Sequence, residues 1–161
     1  MNVLVLMPYL HDTVPGPRFR IEQWARYLEP EGVRFQFVPF ESKELKEVFH
    51  LRARYPSKVK EILQCAVRRM KELSQVRAGN GWDLIFLYRE LFPLGPGWME
   101  KALSRRGVPI VYDFDDAIFL PDVSEANRAF GWLKWPQKTG QICRASRHVV
   151  VGNGYLRNYV L

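Results

Sequence analysis

The sequence predicts an α/β domain. Its core is a doubly wound, mostly parallel sheet of about five strands in the order 3-2-1-4-5, with helices on both faces. Three observations predict it. Short apolar runs alternate along the chain with helix-length segments, a pattern that calls for right-handed crossovers between parallel strands. Most of those runs are apolar at nearly every position, as in strands buried on both faces. With 161 residues and 47% hydrophobic content, the chain suits one domain with one substantial core.

The elements are taken in chain order. Val3–Met7 is a short apolar strand. Pro8–Pro17 reads as a loop, and in the helix after it Ile21, Trp24, Ala25 and Leu28 recur at i, i+3, i+4 and i+7. Glu31-Gly32 ends that helix. Val33, Phe35 and Phe37 alternate with Arg34 and Gln36, giving a second strand with one face less buried. A short helix around Ser42–Arg52 stops before Pro56. A longer one from about Ser57 to Val76 carries Val59, Ile62, Leu63, Ala66, Met70 and Leu73 on one stripe, and Gly79-Asn80-Gly81 terminates it. Strand three is Asp83–Tyr88. A helix from about Gly97 to Arg106 stops at Gly107, and strand four is Val108–Asp113. After an irregular helical stretch, Arg147–Gly152 forms strand five. Asn153 is placed to cap a last helix carrying Tyr155, Leu156 and Tyr159. No internal repeat, low-complexity tract or linker interrupts the series.

In the predicted order, strands one and four lie side by side and their crossovers leave in opposite directions. The crevice at their carboxyl ends is where open sheets of this kind bind ligands. The loop after strand one and the carboxylates after strand four are therefore expected to face each other.

Composition bounds the function. No apolar run approaches the roughly 18–20 residues that cross a bilayer. Met1-Asn-Val-Leu-Val-Leu-Met-Pro8 has neither a basic leader nor a small-residue cleavage site and reads as a first strand. Cys65 and Cys143 lie far apart in helix-like settings and form no metal pattern, which fits free thiols in a cytoplasmic protein. The net charge is +7, and between Glu41 and Arg77 ten Lys or Arg stand against five Glu. This basic stretch is either a solvated helical face or a patch for an anionic partner. No zinc knuckle, helix-turn-helix or RNP-type strand is present, so an anionic membrane surface, bound through the Lys43–Arg77 helices, ranks ahead of nucleic acid. The expected location is cytoplasmic, with peripheral attachment to the inner face of a membrane as an option.

Four groups of residues carry candidate chemistry. In Tyr9–Arg20, Gly16 permits close backbone approach, Pro17 suits a first helical position, and Arg18 and Arg20 offer forks for phosphate or carboxylate. An ordinary turn with surface arginines explains the same letters. His11, in this loop, is either a proton shuttle or incidental. The loop has no GxGxxG and no GxxxxGK[ST], so dinucleotide and P-loop chemistry are unsupported.

The second group is Asp113-Phe-Asp-Asp116, three carboxylates at the mouth of a buried strand. Like charges packed so closely repel, so a sugar hydroxyl, a cation or basic side chains must neutralise them. Helix capping or local arginine pairs form one alternative. A metal site is another, although hard cations want further oxygen ligands and only Asp122 and Glu125 lie downstream. Arg89-Glu90, just past strand three, is the third group; the predicted order puts it at the sheet edge as a local ion pair. Phe130–Trp135 with Lys138 is the fourth, aromatics among lysines that could stack on a sugar, enter a membrane interface or pack internally.

The strand ending in Asp113-x-Asp115 resembles the first motif of haloacid-dehalogenase-type phosphatases. Here it sits in strand four, has Ala117 where that family has Thr or Val, and leaves only about 45 residues downstream for a required Lys and acidic pair.

Taken together, Gly16-Pro-Arg-Phe-Arg20, Asp83–Glu90, Pro109–Asp116 and Val149–Leu156 resemble the N-terminal half of a GT-B glycosyltransferase of the retaining family-4 type. The resemblance spans nearly the whole chain and rests on the order and spacing of these segments. It implies two Rossmann-like domains. Residues 1–161 would form the N-terminal, acceptor-holding one, and a C-terminal domain would bind the nucleotide-sugar. It implies hexose transfer to a hydroxyl of a glycan, lipid-linked or small-molecule acceptor. No bound metal or cofactor is implied, the nucleotide-sugar being a substrate. Gly16 then corresponds to the glycine that nears the donor phosphates. Asp115-Asp116 occupies the place of His-Asp, which gives these two the expected catalytic role. Gly16, Arg18, Arg20, Asp113, Arg89, Glu90 and His11 are the expected substrate contacts. The donor motif and the cations for the leaving diphosphate are not in this sequence, so the 161 residues are expected to be inactive alone. The remaining alternative is a free-standing basic module that associates with anionic membranes.

Overall fold

The computed structural model describes residues 1–49, 51, 55–120 and 135–161. Asp122, Glu125 and the 130–134 portion of the aromatic segment lie outside the described residues. The described chain is an α/β unit on one five-stranded, all-parallel sheet. The strands are β1 (Asn2–Met7), β2 (Arg34–Pro39), β3 (Leu84–Tyr88), β4 (Ile110–Phe114) and β5 (His148–Val151).

Their order is β2-β1-β3-β4-β5, not 3-2-1-4-5. β3 pairs with β1 through Val3–Leu84 to Leu6–Leu87, and with β4 through Ile85–Ile110 to Tyr88–Asp113. The second crossover, carried by α3 (Lys43–Phe49) and α4 (Tyr55–Gln75), therefore returns over β1 instead of extending the sheet beyond β2. Both orders satisfy right-handed crossovers and short connections, so alternation of elements does not distinguish them. The consequence is large for Arg89-Glu90. It lies at the centre of the sheet, because β3 is the middle strand, between β1 and β4.

Alternation along the strands splits the core into two layers. Leu4, Leu6, Ile85, Leu87, Ile110, Tyr112 and Phe114 face a layer containing Leu73 of α4, Met99 and Leu103 of α5 (Trp98–Ser104) and Ile142 of α6 (Lys138–Ala145). Val3, Val5, Met7, Phe86 and Tyr88 face the other side, with Ile21. The strands are close to fully buried in the middle of the sheet, as their near-continuous apolar runs require.

The helix after β1 departs from simple periodicity. It begins as α1 (Pro15–Pro17), widens into a π-helical turn at Arg18–Glu22, and continues as α2 (Gln23–Leu28). The extra residue in that turn rephases the rest of the helix. Ile21, Glu22 and Ala25 are buried, whereas Trp24 and Leu28, expected inside, are exposed. The stripe on α4 also divides. Leu73 is buried and Ile62 and Ala66 are half-buried, but Val59, Leu63 and Met70 face outward, and Lys58, Cys65 and Arg69 take inward positions. Arg69 is tolerated there because its guanidinium donates to the carbonyls of Met7 and Val38, 3.1 Å each, and pairs with Glu72. Burial still pulls its pKa down to about 10. At the far end, Asn153 caps α7 (Gly154–Val160) as expected, its side chain accepting from Leu156 N at 3.0 Å.

Candidate functional site

All strands run parallel, but the order in which they are added reverses between β1 and β3, and the loops after β1, β3 and β4 meet at the carboxyl edge of the sheet. The loop after β1 is tightly anchored. Asp12 adopts a left-handed backbone (φ 58°), and its N–H donates to both carboxylate oxygens of buried Glu22 at 3.1 and 3.0 Å. Arg18 folds back on the same residue, with Nε 2.7 Å from Asp12 Oδ1 and Nη2 donating to its carbonyl at 3.0 Å. The π-helical turn thus supplies both anchors, a local distortion of the kind often found at functional sites.

Gly16 then meets the acids. A methyl group on its Cα would collide with the Tyr88 hydroxyl and lie 2.8 Å from Asp115 Oδ2. Tyr88, the last residue of β3, donates its hydroxyl to Asp115 at 2.8 Å. Arg89 adds Nε and Nη2 to Asp115 Oδ1 at 3.1 and 2.9 Å, pairs through Nη2 with Asp116, and donates from Nη1 to the Tyr9 hydroxyl at 3.0 Å. Arg89 holds all this from a left-handed backbone (φ 59°), a conformation costing an L-residue about 1–2 kcal/mol. Among the described residues, Asp12 and Arg89 are the two non-glycine positions with positive φ; Arg89 is in the clamp and Asp12 is in the loop after β1. Backbone strain concentrated in this way is a mark of functional loops.

Asp113, 2% exposed, is held by Arg20 from the π-helical turn. Nε donates to Oδ1 and Oδ2 at 2.9 and 3.1 Å, and Nη2 lies 2.7 Å from Oδ1. Two guanidinium groups therefore offset most of the charge of the acidic trio, Arg20 beside Asp113 and Arg89 shared by Asp115 and Asp116, and one net negative charge remains. Among the described residues, no three His, Cys, Asp or Glu side chains converge as ligands for a metal ion.

The three carboxylates differ electrostatically. Burial raises the Asp113 pKa, and Arg20 offsets this only in part. Burial also acts to raise Asp115, but the Tyr88 hydroxyl and Arg89 outweigh it, and the net shift is downward. Asp116 is 67% exposed and engages Arg89 through one oxygen, Oδ2. Asp115 is held inside a clamp, its Oδ1 accepting from Tyr88 and Arg89, whereas Asp116 presents most of its carboxylate to solvent. Burial raises the Tyr88 pKa, so its hydroxyl stays a donor.

Of the residues singled out in the sequence, the fold brings together Gly16, Arg20, Arg89, Asp113, Asp115 and Asp116. Three stand apart. Arg18 is occupied with Asp12. Glu90 points to Lys138, whose buried ammonium lies 2.5 Å from Glu90 Oε2 and donates to the Phe92 carbonyl at 2.5 Å. Lys138 is therefore an internal cation and not part of a surface aromatic-basic patch. His11 packs edge-on against Phe37, 5.0 Å between ring centroids, beside a cleft of about 500 Å³. That cleft is lined by Leu10, Phe37 and Arg68 among others, over the end of β2 and away from the acids.

Tyr9, Tyr88 and Gly152 join the crevice as well; each falls in a segment singled out in the sequence, Tyr9–Arg20, Asp83–Glu90 or Val149–Leu156, but none is among the expected substrate contacts. Gly152, just past β5, packs against the Asp115 backbone: a Cβ there would lie 3.6 Å from its carbonyl oxygen. Tyr88 closes an apolar run; only the placement of β3 beside β1 gives its hydroxyl a role. No model of a known protein family matches this chain, and neither does any curated protein. The function of the crevice must be read from its own chemistry.

Proposed function

We propose that this domain is the acceptor side of a glycosyltransferase, moving a hexose from a nucleotide-sugar to a hydroxyl group. One observation carries the proposal: Gly16 in the first helical turn abuts the Tyr88–Asp115–Arg89 clamp where the strand order reverses, the position at which open α/β sheets bind ligands. A preorganised polar crevice of this kind suits a polyhydroxylated substrate. Asp116 accepts a hydrogen bond from the acceptor hydroxyl and orients its oxygen for attack. Asp115 touches no substrate in this scheme; it fixes Arg89, and through it Asp116. Positioning of this sort supplies rate by holding reacting groups in line. The donor sits on a second α/β domain facing this edge, and that domain supplies the cations for the departing diphosphate.

A phosphatase fits less well. Asp113 would have to meet a phosphoryl group, yet it is buried against Arg20.

The test is an amide-resolved NMR titration of the chain with a panel of mono- and disaccharides and lipid-linked sugar analogues. Saturable shifts at residues 16, 88, 89, 115 and 116, lost in Asp116→Asn, are expected for at least one acceptor class. Shifts confined to other surfaces, or none across the panel, would sink the proposal.

A further inference from the structure

We propose that the outward face of α4 is a docking surface for a membrane containing anionic lipid. The sheet covers only part of this helix. Val59, Leu63, Val67 and Met70 are 41, 60, 46 and 43% exposed, and their spacing of i, i+4, i+8 and i+11 puts them within an arc of about 80°. They form a continuous apolar ridge where the same helix already satisfies the core with Cys65 and Leu73. Soluble helices seldom leave such a row facing water.

The charge beside the ridge is of one sign. Lys60 and Lys71 fall about 20–40° beyond its edge, both exposed, and neither forms an ion pair among the described residues. The glutamates of α4 lie on the opposite flank, Glu72 pairing with Arg68 and Arg69. An apolar row bordered by unpaired lysines is the pattern of a helix lying in the interfacial plane, with its side chains entering the acyl boundary and its ammonium groups on phosphates. The same charge opposes a second copy of the chain, since a symmetric contact would bring two lysine rows together. The basic stretch of the sequence is thereby narrowed. Lys58 and Arg69 are buried and contribute nothing to a surface, and the outward lysines of α4 carry it.

This surface needs nothing from the crevice. The test is co-sedimentation of the chain with vesicles of pure phosphatidylcholine or of equal parts phosphatidylcholine and phosphatidylglycerol. Binding to the mixed vesicles only, weakened by added salt, is expected. Leu63→Glu/Val67→Glu should lower partitioning at least tenfold. Each of Lys60→Glu and Lys71→Glu should lower it about fivefold or more. Lys101→Glu on α5, exposed and remote in sequence, should leave it unchanged. The substituted positions are solvent-facing, and an unchanged melting transition would show that the variants fold. Three results would overturn the proposal: no binding at low salt, equal binding by the α4 variants and the unaltered chain, or a concentration-dependent dimer that Leu63→Glu dissolves.

Discussion

Arg20 and Asp113 are 93 positions apart in the chain, yet Arg20 Nη2 lies 2.7 Å from Asp113 Oδ1, where the helix after β1 meets the end of β4. The pair joins the two halves of the sheet across the crevice. Its carboxylate is almost wholly buried and its guanidinium is mostly so. Such a pair adds little net stability when intact, but removing one partner strands a buried charge.

Arg20→Ala should therefore destabilise the fold by about 3–5 kcal/mol, and Arg20→Ala/Asp113→Asn by clearly less. Urea denaturation of the three proteins measures the difference. The pH dependence gives an independent check. The folded-state pKa of Asp113 lies above the ordinary 3.8, so protonation favours the fold. That contribution is fully present below 3.8 and is lost as pH rises through the folded value. The deficit of Arg20→Ala should shrink on acidification. A deficit independent of pH would mean that Asp113 is not the stranded charge.

Asp115 carries the opposite sign. Its pKa is lowered by Tyr88 and Arg89 acting against burial, so its stabilisation is complete above 3.8 and disappears as pH falls through the folded value. Thermal unfolding of the unaltered chain and of Asp115→Asn should differ most near neutrality and converge below pH 3.8. Asp116→Asn, at an exposed position, should change stability by no more than about 0.5 kcal/mol.

Gly16→Ala should cost about 1–3 kcal/mol, because the added methyl meets the Tyr88 hydroxyl, which cannot swing aside while it is bonded to Asp115. Tyr88→Phe removes the obstructing oxygen. In a double-mutant cycle the pair should therefore be less destabilising than the sum of the single changes. Strict additivity would place the cost of Gly16→Ala elsewhere.

On the proposed transferase function, Asp116→Asn should lower sugar-transfer turnover at least tenfold, about 1.4 kcal/mol of transition-state stabilisation, with the donor KM little changed. Asp115→Asn should also slow transfer, by releasing Arg89. Steady-state rates over a range of acceptor concentrations separate the two. Unaltered kinetics in Asp116→Asn would remove it from the site.

The apolar runs that became β1, β3 and β4 could be read directly, since strands buried on both faces leave few polar positions. The Asn153 cap and the helix punctuation by glycine were equally local and equally readable. The phase of the helix after β1 was not. A π-helical turn at Arg18–Glu22 shifts every later side chain, and its stabilisation comes from Glu22 receiving the Asp12 amide. The α4 stripe misled for a related reason: periodicity identifies an apolar face without saying how much of it the sheet will cover.

The linear chain was enough to specify the α/β class, the alternation of elements and the acidic strand terminus, because hydrophobic periodicity and turn chemistry act between near neighbours. It did not specify that β3 inserts between β1 and β4, since either direction of the second crossover obeys the same handedness and length rules. That one choice carried Tyr88 and Arg89 from the sheet edge to its centre. There, contacts between distant residues turned three repelling carboxylates into a clamped cluster whose charge two guanidinium groups largely offset.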